Sequence, residues 1–280
     1  MVAPKLTYTY PRTAAPAIAN LNFAIAPGEI FGFLGPSGAG KSTTQNVLIG
    51  LRKGYHGSVK VIGREMKTWG ADYYERIGVS FELPNHFLKL TALENLRYFG
   101  ALYHSPPRDP RAVLELVGLS ANADTPVAQF SKGMQGRLNL ARALAHEPEL
   151  LFLDEPTSGL DPTNVQQIRA LIRAQRDAGR TVVLTTHNMA VAEDLCDRVA
   201  FIVDGQLRLI DTPRALRLRY GEPSVRVEYG QGQAQSFPLA DLGKNQGFLQ
   251  LLCERPIQTI HSQEATLDEI FIRVTGRRLA

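Results

Sequence analysis

Eight consecutive residues, Gly35-Pro36-Ser37-Gly38-Ala39-Gly40-Lys41-Ser42, have the composition of a polyphosphate cradle. Their pattern is G-x-x-x-x-G-K-[ST], and Thr43 extends it by one hydroxyl. Glycines leave room for successive backbone N–H groups to turn inward on an anion, which a Cβ would obstruct. Lys41 brings a positive charge to the β- and γ-phosphates, and the Ser42 hydroxyl is placed to ligate Mg²⁺. Such a loop needs a metal-organising carboxylate at the end of a neighbouring strand. Asp154 ends the apolar run Glu149-Leu150-Leu151-Phe152-Leu153, and Glu155 follows at once. Asp154 can hold Mg²⁺ through water, while the longer Glu155 can polarise an attacking water. His187, after Thr185-Thr186, ends another apolar run. A nucleoside triphosphate with Mg²⁺ is the substrate this set suits.

These residues work only if strands and helices bring them together. Glu29–Leu34 reads as a buried strand entering the loop, and Lys41–Leu51 as a helix leaving it with its N-terminal dipole toward the phosphates. Leu6–Tyr10 and Ala19–Ile25 are strand-like. Tyr10 ends the first, either as a strand aromatic or as a ring able to stack on a base. A short strand lies within Gly57–Gly63, and another at Ile77–Phe81 ends in Glu82. From Thr91 to about Glu147 the pattern turns helical. Thr91-Ala92-Leu93-Glu94 has the capping-box form, and Ser131 is placed to cap a helix through Met134, Leu138, Ala141 and Leu144. Unbroken apolar runs at Glu149–Glu155 and Thr181–His187 are what parallel strands covered on both faces show. Asp161-Pro162 opens a helix between them, and Arg198–Asp211 forms a hairpin turning at Asp204-Gly205. Strands alternating with helices predict a parallel α/β sheet.

Beyond Tyr220 the character changes. Ser224–Tyr229 reads as a strand, Gly230–Ser236 as a polar turn, and Leu239–Cys253 fits no single pattern. Thr266-Leu267-Asp268-Glu269 is a second capping box, opening a helix closed by Gly276. The expected domains are residues 1–220, with a helical insert at about 84–148, and a small α+β subdomain over 221–280.

The chain has 280 residues, 44% hydrophobic and 21% charged, which suffices for a sizeable core. Its net charge of +4 is spread along the sequence, without the clustered basic face of a nucleic-acid binder. Cys196 and Cys253 show no short spacing and are expected as core residues of a reduced, cytoplasmic protein. No apolar run reaches the roughly 18 residues of a membrane helix. The Ala-rich start is broken by Pro16, Asn20 and Asn22 and runs into the loop strand, so it does not read as a signal peptide. The histidines other than His187 show no metal-ligand spacing.

Taken together, Leu6 through Asp211 resembles the ATP-binding subunits of ABC transporters, with the family's motifs in the family's order. Gly35–Thr43 is the P-loop, Phe130-Ser131-Lys132-Gly133-Met134 the signature, Asp154 and Glu155 the Walker B aspartate and catalytic glutamate. Ser158–Asp161 matches the D-loop, His187 the switch histidine, and Tyr10 the aromatic that stacks on adenine. The resemblance implies a P-loop NTPase cassette and a head-to-tail pair of subunits, in which Ser131 and Gly133 of one face the γ-phosphate held by Lys41 of the other. An N-terminal helix dipole at Ser131 suits that role.

Four positions depart from the family pattern. Glu82 stands where glutamine is usual, as a carboxylate able to ligate Mg²⁺ but adding negative charge near phosphates. Lys132 and Met134 replace the commoner glycine and glutamine, and Gly136 replaces a common glutamine. The Ser-Lys-Gly-Met signature and the segments Glu264–Phe271 and Thr275–Leu279 resemble ATPases of ABC-2 type drug exporters. Phe81–Leu90 resembles a branch associated with fluoroquinolone export. The reading is therefore an ATPase peripheral on the inner face of the membrane, powering separate ABC-2 permease subunits. The rivals are a soluble ABC ATPase working on nucleic acid or ribosomes, which usually joins two cassettes or carries coiled arms, and an importer ATPase.

Overall fold

A computed structural model describes residues 1–104 and 107–277 of the chain. The first strands, β1 (Val2–Tyr8) and β2 (Ile18–Ala24), pair antiparallel. Next come β3 (Ile30–Leu34), buried at every residue, and helix α1 (Lys41–Leu48). A short hairpin of β4 (Lys60–Val61) and β5 (Arg64–Glu65) extends the first pair into a four-stranded sheet, ordered β2-β1-β4-β5. After β6 (Ile77–Ser80) follow helices α2 (Ala92–Gly100), α3 (Pro110–Leu116) and α4 (Lys132–Leu144). The chain then returns to sheet through β7 (Leu150–Asp154), α5 (Pro162–Asp177), β8 (Thr181–Thr186), α6 (Met189–Leu195), β9 (Arg198–Val203) and β10 (Gln206–Asp211).

The second sheet has six strands in the order β10-β9-β3-β8-β7-β6. Its pairs β3–β8, β3–β9, β7–β8 and β6–β7 are all parallel. Parallel pairing puts the C-terminal ends of β3, β6, β7 and β8 on one edge, where open α/β sheets bind ligands. Leu6, Leu21 and Phe23 of the first sheet pack on Phe31, Phe33 and Ile202 of the second in one core. Phe23 meets Phe33 edge-on at 5.2 Å between ring centroids. Burying each such ring contributes about 1.5–3 kcal/mol, which clamps the loop that leaves β3.

The expected helix signals act as read. Thr91 and Glu94 form a reciprocal capping box on α2, and Ser131 caps α4 by accepting from the Met134 N–H at 3.2 Å. Asp161 caps α5 with Pro162 at its first turn. Asp204 and Gly205 both have positive φ, 50° and 70°, as a two-residue hairpin turn demands. Several boundaries move, three of them beside the site. β1 ends at Tyr8, so Tyr10 lies in the following loop, α1 ends at Leu48 rather than Leu51, and Phe81 lies beyond β6.

A second compact unit begins at Asp211 rather than at residue 221, because α7 (Pro213–Tyr220) packs on the last helix. It contains β11 (Ser224–Tyr229), β12 (Gln233–Pro238), α8 (Gln246–Glu254), β13 (Ile257–Gln263) and α9 (Leu267–Thr275). The three strands form an antiparallel sheet ordered β12-β11-β13. Two sequence expectations are corrected here. The polar turn shrinks to Gly230–Gly232, since Gln233–Ser236 belongs to β12. Only Phe237 of β12 is buried, so this edge strand shows no apolar alternation. Cys253 is exposed at the end of α8, whereas Cys196 is buried as expected. The Arg278-Leu279 end of the tail segment lies outside the described residues. No helix among the described residues is long and apolar enough to cross a membrane.

Candidate active site

The turn between β3 and α1 is shaped by contacts that admit only glycine at two points. A Cβ on Gly35 would sit 2.1 Å from the Ile202 carbonyl oxygen. Gly40 has φ of +105°, and a Cβ there would meet Ile18 at 2.8 Å. The α1 N-terminus at Gly40 carries no side-chain cap, leaving its first N–H groups for an anion. Lys41 begins this helix, is only 7% exposed, and donates from Nζ to the carbonyls of Gly35 (2.6 Å) and Pro36 (2.9 Å). Burial pulls its ammonium below the usual lysine range, while the charges of Glu155, Asp154 and Glu82 oppose that shift.

A cleft of about 340 Å³ opens beside the loop, lined by Ser37–Thr43 together with Glu82, Asp154, Glu155 and His187. The acidic and basic groups arrive from the C-terminal ends of four parallel strands, Lys41 after β3, Glu82 after β6, Asp154 and Glu155 at β7, and His187 after β8. Asp154 closes β7 and pairs in register with Thr185 of β8. The Thr185 hydroxyl donates to Asp154 Oδ1, and Ser42 Oγ lies 3.4 Å from the same oxygen. Burial lifts the Asp154 carboxyl above the usual aspartate range, against the pull of those two hydroxyls.

Glu155 is held on both carboxylate oxygens. Thr186 Oγ1 donates to Oε2 at 2.9 Å, and the His187 backbone N–H donates to Oε1 at 2.9 Å. His187 Nδ1 lies 2.7 Å from that Oε1. The Glu155 backbone is in the left-handed region at φ 49°, a conformation costing of order 1 kcal/mol for a side-chain-bearing residue. Its N–H is anchored to the Thr185 carbonyl at 3.0 Å. Strain tolerated here aims a carboxylate into the cleft beside Lys41.

Four of the sequence-predicted site residues lie elsewhere. Tyr10 is next to the loop helix, sharing a hydrogen bond with Thr43 Oγ1 at 3.0 Å, with the Arg52 guanidinium 5.2 Å from its ring centre. Ser131, Gly133 and Asp161 do not line the cleft. They adjoin one another instead: a Cβ on Gly133 would meet Leu160 at 3.1 Å, and one on Gly159 would meet the Lys132 side chain at 3.3 Å. Ser131 and Asp161 each cap a helix at that surface.

Sequence reasoning passed over Thr185 and Thr186 as site residues. Their signal was present, since two hydroxyls ending a buried apolar strand need partners. It also missed Asn139, 1% exposed, which donates from Nδ2 to the Phe81 carbonyl at 2.6 Å and to Ser80 Oγ at 3.1 Å. This asparagine ties α4 to the segment that presents Glu82. An Asn between Leu138 and Leu140 on a helix was the visible clue.

A glycine cradle, a buried lysine and a clamped glutamate at the edge of a parallel sheet are the parts of a P-loop ATPase of the ATP-binding-cassette class. The chain belongs to the ABC transporter family, whose model matches residues 18–158. Within it, residues 224–264 match the model described as the fluoroquinolone efflux ABC transporter C-terminal domain. The chain is 52% identical over 278 residues to a fluoroquinolones export ATP-binding protein of Mycobacterium tuberculosis, covering 98% of this chain and 92% of that one. It is 35% identical to Nod factor export ATP-binding protein I of Burkholderia pseudomallei, covering 92% of each. Among solved structures, a dimeric ATP-binding cassette in a post-hydrolysis state with ADP and Pi superposes with a TM-score of 0.69 at 30% identity, over 75% of this chain and 97% of that one.

Proposed function

We propose that this chain is the ATP-hydrolysing subunit that powers a separate transmembrane exporter, whose cargo is a fluoroquinolone-like or other hydrophobic drug. The observation that carries the hydrolytic part is the grip of Thr186 and His187 on Glu155, beside Lys41 in one cleft. The exporter part rests on the likeness to export ATP-binding proteins along nearly the whole chain.

In this reading the loop N–H groups and Lys41 bind the β- and γ-phosphates. Glu155 accepts a proton from the attacking water, and His187 steadies both that carboxylate and the γ-phosphate. Ser42, Asp154 and Glu82 are hard oxygen donors lining the same cleft, a donor set that fits Mg²⁺. When bound, the ion would neutralise the phosphates' charge. Tyr10 stacks on adenine. Ser131 and Gly133, on the surface they share with Asp161, belong to the nucleotide site of a second subunit packed head to tail. The partners are that second subunit and ABC-2 type permease chains, with this chain peripheral on the cytoplasmic face of the membrane.

The test is Glu155→Gln. The variant should bind ATP at parental affinity, form a long-lived dimer with it, and hydrolyse at least about a hundredfold more slowly. Hydrolysis at the parental rate would remove Glu155 from the general-base role. A tagged pull-down from solubilised native membranes tests the exporter reading: a polytopic membrane protein should co-purify, and recovery of ribosomes or nucleic acid instead would sink it.

A further inference from the structure

Beyond the far end of α1 lies a second cavity, of about 330 Å³, that the ATPase reading does not use. It sits between the Gly50–Tyr55 turn and the Met66–Tyr74 segment. Its size is at the small end of pockets that hold small molecules. Arg52, Lys53 and Lys67 line it, all three exposed, and no aspartate or glutamate does. Among the described residues none of these cations has a carboxylate in ion-pair contact. Arg52 is turned over the Tyr10 ring, and Lys67 Nζ lies 4.7 Å from the centre of the Tyr55 ring. Three like charges around one small cavity repel one another, so an anion between them is favoured.

The remaining wall is aromatic. Tyr55, Trp69 and Tyr73 line the cavity, with Trp69 and Tyr73 rings 5.3 Å apart. Tyr73 is fixed by its hydroxyl, which donates to the Leu48 carbonyl at 2.7 Å, and Trp69 by its indole N–H to the Val61 carbonyl at 3.2 Å. These rings are therefore preset rather than adaptable. The Tyr55 hydroxyl differs. Tyr55 is only 4% exposed, and its oxygen has no hydrogen-bond partner among the described residues. Burial, with the nearby Glu65 charge adding to it, pushes this phenol up to about 12, so it is a neutral hydroxyl able to donate. A buried hydroxyl without a partner is uncommon and costs of order 1–3 kcal/mol.

We propose that this cavity is a binding site for a small planar aromatic carboxylate. The ring system would lie against the aromatic wall, and the carboxylate would be paired by the lysines and Arg52. Aromatic area and cationic donors together, with no acid in the lining, select against neutral aromatics and against bare phosphate alike. The volume favours a one- or two-ring acid over a nucleotide carrying ribose and several phosphates. No residue lines both this cavity and the ATP cleft, and its occupancy does not depend on hydrolysis.

Trp69 is the single tryptophan of the chain and lines this cavity, so its fluorescence responds to a ring bound against that wall. The experiment titrates the full chain with 1-naphthoate, followed by Trp69 fluorescence and in parallel by calorimetry. Saturable one-to-one binding is expected. Because Lys53 and Lys67 are exposed, Lys53→Gln with Lys67→Gln should leave folding and ATP hydrolysis intact while weakening naphthoate binding about tenfold or more. Two controls use 1-naphthalenemethanol, which lacks the charge, and inorganic phosphate, which lacks the ring. The proposal is overturned if naphthoate does not saturate, if the double variant binds it as well as the parent, or if either control matches naphthoate. Loss of ATPase activity in a separate Glu155→Gln sample leaves naphthoate binding unchanged, so failure of one reading is distinguishable from failure of the other.

Discussion

Thr186→Val probes the clamp on Glu155 with the smallest change in shape. Valine is nearly isosteric with threonine, and the position is fully buried, so the substitution removes a hydroxyl without opening a cavity. Two hydrogen bonds go with it. Thr186 Oγ1 donates to Glu155 Oε2 at 2.9 Å and accepts from the Asn188 N–H at 3.0 Å. A hydrogen bond to a charged group contributes about 1.5–3 kcal/mol, and 1.36 kcal/mol is a factor of ten in rate. Expressed wholly in the transition state, the loss would lower kcat roughly 10- to 100-fold. The two contacts from His187 to Oε1 survive, which places the expectation at the lower end, about tenfold. KM for ATP should stay put, because the phosphate-binding loop is untouched. The unpaired Asn188 N–H should cost about 1 kcal/mol of stability, or some 2–4 °C in Tm. The assay is steady-state hydrolysis beside a thermal melt, with Thr186→Ser as the conservative control that restores the hydroxyl. If the valine variant melts lower yet turns over at the parental kcat, the hydroxyl is structural and the clamp argument fails. Equal loss in the serine variant would refute it as well.

Glu82→Gln removes one negative charge from the cleft that also holds Asp154 and Glu155, so the Mg²⁺ concentration needed for half-maximal nucleotide binding should rise about threefold to tenfold. A fluorescent ATP analogue titrated at fixed Mg²⁺ levels reads this, and an unchanged midpoint would take Glu82 out of the metal shell. Gly35→Ala forces a Cβ to 2.1 Å from the Ile202 carbonyl oxygen and should destabilise the chain by about 1–3 kcal/mol, as measured by urea melts; a parental midpoint would contradict the packing described. His86 and His146 are both buried, and burial lowers each below the ordinary value of 6.5. The unfolded chain therefore takes up these protons first: stability is complete above about pH 6.5 and is lost as pH falls below it. Tm should drop between pH 7 and 5, and His146→Gln, which keeps a donor for the Ile77 carbonyl, should flatten that slope.

How far the sequence reached depended on how local each signal was. The phosphate-binding loop, the Thr91–Glu94 and Thr266–Glu269 capping boxes, and the buried runs at β7 and β8 are each encoded within a few residues, and each forms as read. Capping and burial act through near neighbours in the chain, so residue types in order suffice. β12 failed that test because an edge strand with a solvated face is defined by its partner, β11, and not by its own polarity. The same holds for the start of the second unit, which moves to Asp211 because of packing between α7 and α9, helices far apart in sequence.

The site divides along the same line. Residue types alone named the lysine and the two acids, since each ends a strand or opens a helix with a recognisable pattern, and the family resemblance added the histidine. What the sequence left open was which groups hold which. Parallel register sets Thr185 against Asp154, and the turn after β8 brings Thr186 and His187 onto Glu155, from a position 31 or 32 residues along the chain. Only a tertiary structure can decide this, because hydrogen bonds between neighbouring strands depend on register, and register is a property of the whole sheet. The cavity beside Trp69 is likewise a product of folding: its cations and rings come from two segments whose meeting no local pattern foretells.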